Sequence, residues 1–222
     1  MQAIQTAVTA LPTDEPRPIV LASVNEPLGE RLCSALRDQM ADDVYVIGED
    51  LPIDLTVQLA PEAVPGVDRL LSALAAWKTM QQACVIVDAG TCVTVDFIDG
   101  EGTFHGGGIA PGMRMQLDAM HTGTSSLPEL DPCAPEDNEP FGRSTADAMQ
   151  LGVFSSVRGL VRNLTERYAA AYDAWPPIIA TGGDAEALFR NDELVDRIVP
   201  DLVLRGIAVA ATRVLSHGDK TS

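Results

Sequence analysis

Three short runs of β-forming residues, separated by tight turns, constrain the fold of this chain more than any other feature of its sequence. The first run, "CVIVDA", leads through Gly90 and Thr91 into "CVTVDFI", which leads through Asp99 and Gly100 into "TFHGGGI". Asp-Gly between two alternating runs is a strong signal for a β-hairpin. The segment therefore predicts an antiparallel three-stranded meander near the middle of the chain.

Helical and extended segments alternate on both sides of the meander. Helices are predicted where apolar residues recur at helical spacing, and strands where short β-branched runs end at turn residues. The predicted helices are 27–40, 68–82, 110–123, 144–172 and the segments after 183 and 201, with a helical end at 1–11; further strands are predicted at 18–24, 44–48 and 177–181, and loops at 49–66 and 127–142. Antiparallel hairpins inside this alternation predict the α/β class with mixed sheets.

Composition and charge bear on the class of function. The chain has 222 residues, 46% of them hydrophobic, which suits one large domain or two small lobes. The formal net charge of -17 argues against a general binder of nucleic acids or membrane surfaces, because both are anionic. The four cysteines show no C-x-x-C spacing, and no signal peptide or long apolar span is recognisable, so we expect reduced thiols and a cytoplasmic location.

The meander delivers polar groups to the tip of an otherwise apolar strand. Asp88 lies near the end of the first run, Gly90 permits a close backbone approach, and Thr91 adds a hydroxyl. Such a turn can aim backbone N–H groups at a phosphate while the carboxylate holds Mg²⁺ directly or through water. Ordinary turn chemistry, in which Asp88 satisfies local amides, explains this segment equally well when it is taken alone.

Two further glycine clusters and one helix start are the other candidate sites. "GGGIAPG" (106–112) and "TGGDAEAL" (181–188) each join an extended run to a helix, where missing side chains can admit a ligand or simply allow close packing. Asp68 and Arg69 open a helix, where the aspartate can cap free backbone N–H groups. Alternatively, Asp68 is a general base beside an arginine that positions an anionic substrate.

Taken in order, these segments resemble the type III pantothenate kinase family, within the superfamily of acetate kinases, sugar kinases and actin-like ATPases. The resemblance spans residues 20–207 and rests on "LASV" (21–24), "GVDR" (66–69), "DAGTCVTVD" (88–96), "GGGIAPGM" (106–113), "GTSSLP" (123–128), "FGRSTADAMQLG" (141–152) and "TGGDAEAL" (181–188). It implies a two-lobed actin-like, ribonuclease H-like fold. Residues 1–66 would form an incomplete N-terminal lobe and residues 67–222 the C-terminal lobe, with the last helix packing back on the first lobe.

The resemblance further implies ATP-dependent phosphorylation of the pantothenate hydroxyl, the first step towards coenzyme A. By analogy, Asp68 would accept the hydroxyl proton. The other implied roles are pantothenate binding by Gly66, Arg69, Gly107 and Thr124, contact with the ATP phosphates by Asp88, Gly90 and Thr91, contact with adenosine by Gly182 and Gly183, and metal binding by Asp88. Thr124 would come from the partner subunit of a homodimer. Members also use Mg²⁺ and a monovalent cation such as K⁺ or NH₄⁺.

One family motif is not found in the sequence. Members begin with a strand that carries Asp-x-Gly-Asn-Thr, which binds ATP phosphates and Mg²⁺, whereas Met1 corresponds to the helix after the third strand. Three explanations are open: a start further upstream, a shortened relative, or strands supplied by another chain. The alternative function is therefore a catalytically impaired pantothenate-kinase-like protein with a binding or regulatory role. Pro65 also stiffens the approach to Asp68, and the family's substrate-side tyrosine upstream is not evident.

Overall fold

The structure is a computed structural model that describes residues 18–39, 43–135 and 140–215. In chain order its elements are β1 (Ile19–Leu21), α1 (Glu26–Gln39), β2 (Val44–Val46), β3 (Thr56–Val57), α2 (Val67–Met80), β4 (Cys84–Ala89), β5 (Cys92–Ile98), β6 (Thr103–Pro111), α3 (Met113–Gly123), α4 (Thr145–Tyr172), β7 (Ile178–Thr181), α5 (Ala185–Phe189), β8 (Arg197–Ile198) and α6 (Leu202–Leu215). The helical end predicted at residues 1–11 lies outside the described residues.

The predicted meander forms the centre of a six-stranded sheet with the order β3-β6-β5-β4-β7-β8. Strand β5 pairs antiparallel with both β4 and β6, whereas β4 with β7, β7 with β8 and β3 with β6 pair in parallel. The prediction of an α/β structure with a mixed sheet is therefore confirmed. The parallel pairing of β4 and β7 places Asp88 beside Thr181 at the ends of the two strands.

A separate two-stranded sheet pairs β1 with β2 in parallel. Each strand is three residues long, which is shorter than the sequence predicts. Helix α1 connects them, and its buried residues Cys33 and Leu36 pack with Val44 of β2. Beyond β2, Ile47 and Leu51 are buried against α2 and α6, so this helix pair joins the small sheet to the large one.

The two faces of the large sheet are covered by different helices. Val87 of β4 and Val95 of β5 belong to the core cluster that α3 and α4 cover. Ile86 belongs to the opposite cluster, which α2 covers. Because side chains alternate along a strand, Asp88 and Asp96 lie on the same face as Ile86, beneath α2.

Three boundaries differ from the sequence predictions. The loop predicted at 49–66 contains β3, whose two residues are too few to give a sequence signal of their own. Pro111 ends β6 instead of opening α3, because it pairs with Cys92 and the N-cap of the helix is Gly112. Arg197–Ile198 forms β8 at the edge of the sheet, ahead of the segment after 201, where the sequence predicts no strand.

Helix α4 begins where the sequence predicts. The Ser144 side chain accepts a hydrogen bond from the backbone N–H of Asp147, and the Asp147 carboxylate accepts one from the backbone N–H of Ser144. This reciprocal capping box satisfies two N–H groups that a helix start otherwise leaves unpaired. Within the described residues, no helix is both long enough and apolar enough to cross a membrane.

The close packing of α6 on α2 depends on a glycine. A Cβ atom built on Gly206 would lie 2.2 Å from the carbonyl oxygen of Leu71 in α2. Rotation of a side chain cannot relieve a contact with backbone. We expect Gly206→Ala to lower the free energy of unfolding by about 1–3 kcal/mol, as measured by urea denaturation followed by circular dichroism.

Gly152→Ala in α4 is the matched control for this prediction. Among the described residues, no atom lies within 4 Å of a Cβ atom built on Gly152, which is exposed. Alanine is the better helix former, so this variant is expected to gain about 0.5–1 kcal/mol. Equal stabilities of the two variants would contradict the close approach of α6 to α2.

Candidate active site

The tip of β4 and its turn form one side of the candidate site. Asp88 lies opposite Thr94 of β5 and beside Thr181 of β7, so it occupies an interior position of the sheet. Gly90 and Thr91 follow in the turn, and the Thr91 side chain is exposed. The turn is therefore accessible from the end of the sheet, with a half-buried carboxylate directly behind it.

The N-terminus of α2 forms the other side. Gly66, and not Asp68, is the N-cap residue, and it has no side-chain hydrogen bond. Asp68 lies instead within the first turn, and its Oδ1 accepts a hydrogen bond of 2.8 Å from the backbone N–H of Arg69. A Cβ atom on residue 66 would lie 2.5 Å from Asp68 Oδ1, so the glycine makes room for this carboxylate.

Arg69 ties this end of α2 to the sheet through Asp96 of β5. The Nε–H group donates to Asp96 Oδ2 over 3.0 Å, and Nη2 donates to Asp96 Oδ1. The guanidinium lies over the ring of Phe104, with Cζ 5.7 Å from the ring centroid. The pKa of Arg69 is raised, chiefly by its hydrogen bond to Asp96, so the side chain stays cationic.

Asp96 is a site residue that our reading of the sequence missed. It lies within the motif at 88–96, yet no role was predicted for it. The available signal was strand alternation, which puts residue 96 on the same face as Asp88 once the two runs are paired. The pairing with Arg69, 27 residues away in sequence, is long-range and could not be read from local pattern.

Three carboxylates share this face, and their charges affect one another. Burial raises the pKa of Asp88, and the nearby negative charges of Asp68 and Asp96 raise it further. In the described part of the chain, no group donates a hydrogen bond to the Asp88 carboxylate. Arg69 is therefore the main positive charge close to the cluster, and Asp88 is left without a compensating partner.

Glycines allow the backbone to close around these carboxylates. A Cβ atom on Gly107 would lie 1.9 Å from the Val95 carbonyl oxygen and 2.8 Å from Asp96 Oδ1. Gly182 has a φ of +94°, and a Cβ atom there would lie 2.6 Å from Asp88 Oδ1. Both positions therefore require glycine for packing. Close packing is one of the two explanations that the sequence allows for these glycine clusters, the other being access for a ligand.

Other predicted positions lie in open space. Within the described residues, no atom lies within 4 Å of a Cβ atom built on Gly90 or Gly183. Gly107 is itself exposed on its outer side, and 62% of the surface of Ile109 is exposed. Because Gly107 pairs with Asp96 and Ile109 with Thr94, these residues extend the face that carries Asp88 and Asp96. We call this open surface of Gly107 and Ile109 the floor of the site.

Thr124 is the one predicted residue that the fold separates from the others. Its Oγ1 donates to the Met120 carbonyl oxygen at the C-terminal end of α3. The N-cap of that helix, Gly112, donates its N–H to the carbonyl oxygen of Thr91 in the turn between β4 and β5. Eleven helical residues separate the two ends, which corresponds to about 16 Å. Thr124 is therefore exposed at the far end of α3 from this turn.

A cavity of about 900 Å³ lies between α4 and α5. Its lining residues include Ser155 and Gly159 of α4, Glu186 of α5 and Arg190. Helix α5 begins at Ala185, two residues after Gly183, and its residues 186–188 line the cavity. In the described part of the chain, no three or more His, Cys, Asp or Glu side chains are grouped so that they could hold a metal ion.

The chain is similar in sequence to proteins of one family. The sequence profile of the type III pantothenate kinase family matches residues 1–167. A type III pantothenate kinase from Rhodopirellula baltica is 42% identical over 174 residues, covering 76% of this chain and 62% of the relative. One from Akkermansia muciniphila is 34% identical over 181 residues, covering 82% of this chain and 74% of the relative.

A solved structure agrees in fold. A conserved Campylobacter jejuni protein, assigned to the Baf family of transcriptional activators, superposes with a TM-score of 0.61 at 23% identity, covering 96% of this chain and 89% of that one. At this level of identity the likeness concerns the fold alone. The match of the family profile over most of the chain, together with the two curated relatives, shows that this chain belongs to the type III pantothenate kinase family.

Proposed function

We propose that this chain transfers the γ-phosphate of ATP to the hydroxyl of pantothenate and so makes 4'-phosphopantothenate, the first intermediate towards coenzyme A. The observation that carries the proposal is the position of Asp68. Its carboxylate lies over Gly66 at the start of α2, next to Arg69 and close enough to Asp88 to affect its pKa. A base, an anion-binding group and a phosphate turn therefore converge at one end of the sheet.

In the proposed reaction, Asp68 accepts the proton of the pantothenate hydroxyl as its oxygen attacks the γ-phosphorus. A new O–P bond forms, the bond from the γ-phosphorus to the β–γ bridging oxygen breaks, and ADP leaves. Phosphoryl transfer of this kind depends on alignment and charge stabilisation more than on covalent chemistry. Arg69, Gly66 and Gly107 would seat pantothenate, with the Arg69 guanidinium towards its carboxylate.

ATP would extend from the turn of β4 towards the cavity. Its phosphates would contact Gly90 and Thr91 near the N-terminus of α3, where free N–H groups and the helix dipole favour anions. The open position at Gly183 leaves room for the adenosine beside Gly182. The cavity between α4 and α5 has space for the base and the ribose.

The Asp88 carboxylate fits a cation. It is half-buried, has no hydrogen-bond donor in the described part of the chain, and lies near two further negative charges. Mg²⁺ commonly takes one or two carboxylates and completes its shell with water and substrate phosphates, so a single protein ligand is sufficient. When bound, Mg²⁺ would neutralise phosphate charge, and a monovalent cation such as K⁺ would relieve repulsion among the carboxylates.

The proposal includes a homodimer in the cytoplasm. Thr124 lies at the far end of α3 from the phosphate turn, which supports a role for it in the pantothenate site of a second subunit. All four cysteines are free, which suits a reducing compartment.

The role of Asp68 predicts the effect of Asp68→Asn. Asparagine keeps the shape but cannot accept the hydroxyl proton, so kcat is expected to fall about 10²–10⁴-fold. ADP release with ATP, Mg²⁺, K⁺ and pantothenate measures this loss. Asp201→Asn is the control, because Asp201 is an exposed carboxylate at the start of α6 and is expected to leave kcat unchanged.

Two results would contradict the kinase proposal. One is a wild-type chain that binds pantothenate in calorimetry but releases no ADP, which would support the impaired, binding-only alternative. The other is an active wild-type chain whose kcat is equal in Asp68→Asn and Asp201→Asn.

If adenosine binds in the cavity, a larger side chain at position 159 should weaken ATP binding. No atom in the described part of the chain lies within 4 Å of a Cβ atom built on Gly159, which lines the cavity. Gly159→Phe should fill the cavity and raise the KM for ATP about tenfold, equivalent to 1.4 kcal/mol, while the KM for pantothenate stays constant. Gly159→Ala is the control and should change neither value. An unchanged KM for ATP in the phenylalanine variant would place adenosine elsewhere.

The raised pKa of Asp88 predicts a pH-dependent gain of stability in Asp88→Asn. Because the folded protein disfavours the charged carboxylate, ionisation of Asp88 lowers the free energy of unfolding. This loss of stability is absent below the ordinary pKa of 3.8, where the group is protonated in both states, and complete above the raised pKa of the folded protein. Thermal unfolding without metal should therefore show Asp88→Asn more stable than wild type at pH 7, with a difference that shrinks towards pH 4. Mg²⁺ and K⁺ should raise the wild-type Tm only. A variant less stable than wild type at pH 7 would contradict this account.

A further inference from the structure

We propose that Asp96 is a positioning residue for substrate binding, which holds the guanidinium of Arg69 in a single orientation beside the floor of the site. The inference rests on the function proposed above, because it concerns the seat of the same anionic substrate. It adds a role for a residue that does not touch the substrate.

The contact between Asp96 and Arg69 fixes the orientation of the guanidinium as well as its position. Both carboxylate oxygens of Asp96 are used, one by Nε–H over 3.0 Å and the other by Nη2. Two parallel hydrogen bonds define the plane of the guanidinium, whereas one bond would allow it to rotate. The position of Phe104, with its centroid 5.7 Å from Arg69 Cζ, restricts movement away from that plane.

Asp96 and Arg69 differ in how far their side chains are buried, and this difference indicates different roles. Only 2% of the Asp96 side chain is exposed, compared with 15% of the Arg69 side chain. Asp96 is therefore inaccessible to a substrate, while an edge of Arg69 remains accessible. Asp96 therefore does not touch a ligand itself: its hydrogen bonds orient the guanidinium that can, and its charge reaches Asp88.

Arg69 keeps binding capacity after this pairing. A guanidinium has five N–H groups, of which two point to Asp96. In the described part of the chain, Asp96 is the only side chain that accepts hydrogen bonds from Arg69. The other three N–H groups have no side-chain acceptor among the described residues, 15% of the side chain is exposed, and the exposed floor of Gly107 and Ile109 lies beside the pair.

Gly107 makes room for the Asp96 carboxylate. The two residues are register partners, and a Cβ atom on residue 107 would lie 2.8 Å from Asp96 Oδ1. A side chain at this position would therefore press on the carboxylate that holds Arg69. The glycine lets strand β6 run beside Asp96 without disturbing its two hydrogen bonds to Arg69.

A purely structural ion pair is the alternative, and it makes a different prediction. Replacing buried pairs by apolar residues is often neutral for stability, so burial alone does not establish a role. A structural pair affects unfolding only. A positioning pair also affects the KM for pantothenate at temperatures where the variant is folded.

The test compares Asp96→Asn with wild type in the ADP-release assay, well below the Tm of both. Asparagine has one acceptor oxygen, and its NH₂ group only donates, so it cannot reproduce the two-oxygen contact with Nε–H and Nη2. We expect the KM for pantothenate to rise 10- to 100-fold, with the KM for ATP changed less than twofold and kcat less than threefold. Asp99→Asn is the matched control, since Asp99, just after the end of β5, also contacts a basic side chain, His105, and its KM values should equal those of wild type.

A double variant tests whether Asp96 acts through Arg69. Arg69→Gln should raise the KM for pantothenate at least as much as Asp96→Asn does. Adding Asp96→Asn to Arg69→Gln should then raise the KM no further. An independent increase in the double variant, or an unchanged KM in a folded Asp96→Asn with lowered Tm, would overturn the positioning role.

The outcomes separate this inference from the kinase proposal. If wild type turns over and Asp96→Asn has a normal KM, the inference fails and the kinase proposal stands. If wild type binds pantothenate without turnover, the kinase proposal fails. The inference about Asp96 then predicts that Asp96→Asn raises the Kd for pantothenate, measured by calorimetry, 10- to 100-fold. If wild type neither binds nor turns over, both fail.

A measurement on wild type covers the case in which Asp96→Asn does not fold. In ¹⁵N-labelled protein, the Nε–H signal of Arg69 is assigned by its absence in Arg69→Lys. A hydrogen bond to Asp96 predicts a signal that exchanges slowly with water and shifts on titration with pantothenate while remaining slow. A signal that exchanges as fast as those of exposed arginines, or that pantothenate leaves unmoved, would overturn the inference.

Discussion

The hydrogen-bonded pair of Arg69 and Asp96 connects the two halves of the site. Arg69 follows Asp68 in the first turn of α2, so fixing the arginine on β5 also fixes the aspartate beside it. Asp88 lies on the same face of the sheet, close enough for the charge of Asp68 to raise its pKa. One long-range contact therefore sets the spacing between the proposed base and the proposed phosphate turn.

Glycines perform two different tasks around this pair. Gly107 and Gly182 have backbone or carboxylate atoms where a side chain would be, so they let strands and turns close around Asp96 and Asp88. Gly90 and Gly183 have open space in the same position within the described residues. The first kind builds the walls of the site, and the second kind leaves the room that a nucleotide would need.

Much of the fold could be predicted because its signals are local. The meander follows from alternating runs joined by Asp99-Gly100, and the long helix predicted at 144–172 is observed at Thr145–Tyr172. The short β3 could not be predicted, because two residues form a strand only where β6 offers a partner. Pro111 was misassigned to a helix because its pairing with Cys92 depends on the sheet and not on its neighbours in sequence.

The candidate site shows the same division. The motifs predicted Asp68, Arg69 and Asp88, and the structure brings all three to one end of the sheet. Asp96 was missed because its partner lies 27 residues away and only the paired strands reveal the shared face. The sequence also could not show that Gly107 and Gly182 are closely packed whereas Gly90 and Gly183 face open space, since this depends on what packs against each residue in three dimensions.

A crystal structure with pantothenate and a non-hydrolysable ATP analogue tests the central claim most directly. The account predicts the pantothenate hydroxyl within about 3 Å of an Asp68 oxygen, with the γ-phosphate between that hydroxyl and the Gly90–Thr91 turn, and with Arg69 still paired to Asp96. A structure in which the phosphates lie away from this turn, or in which Asp68 contacts neither ligand while both are bound, would contradict it.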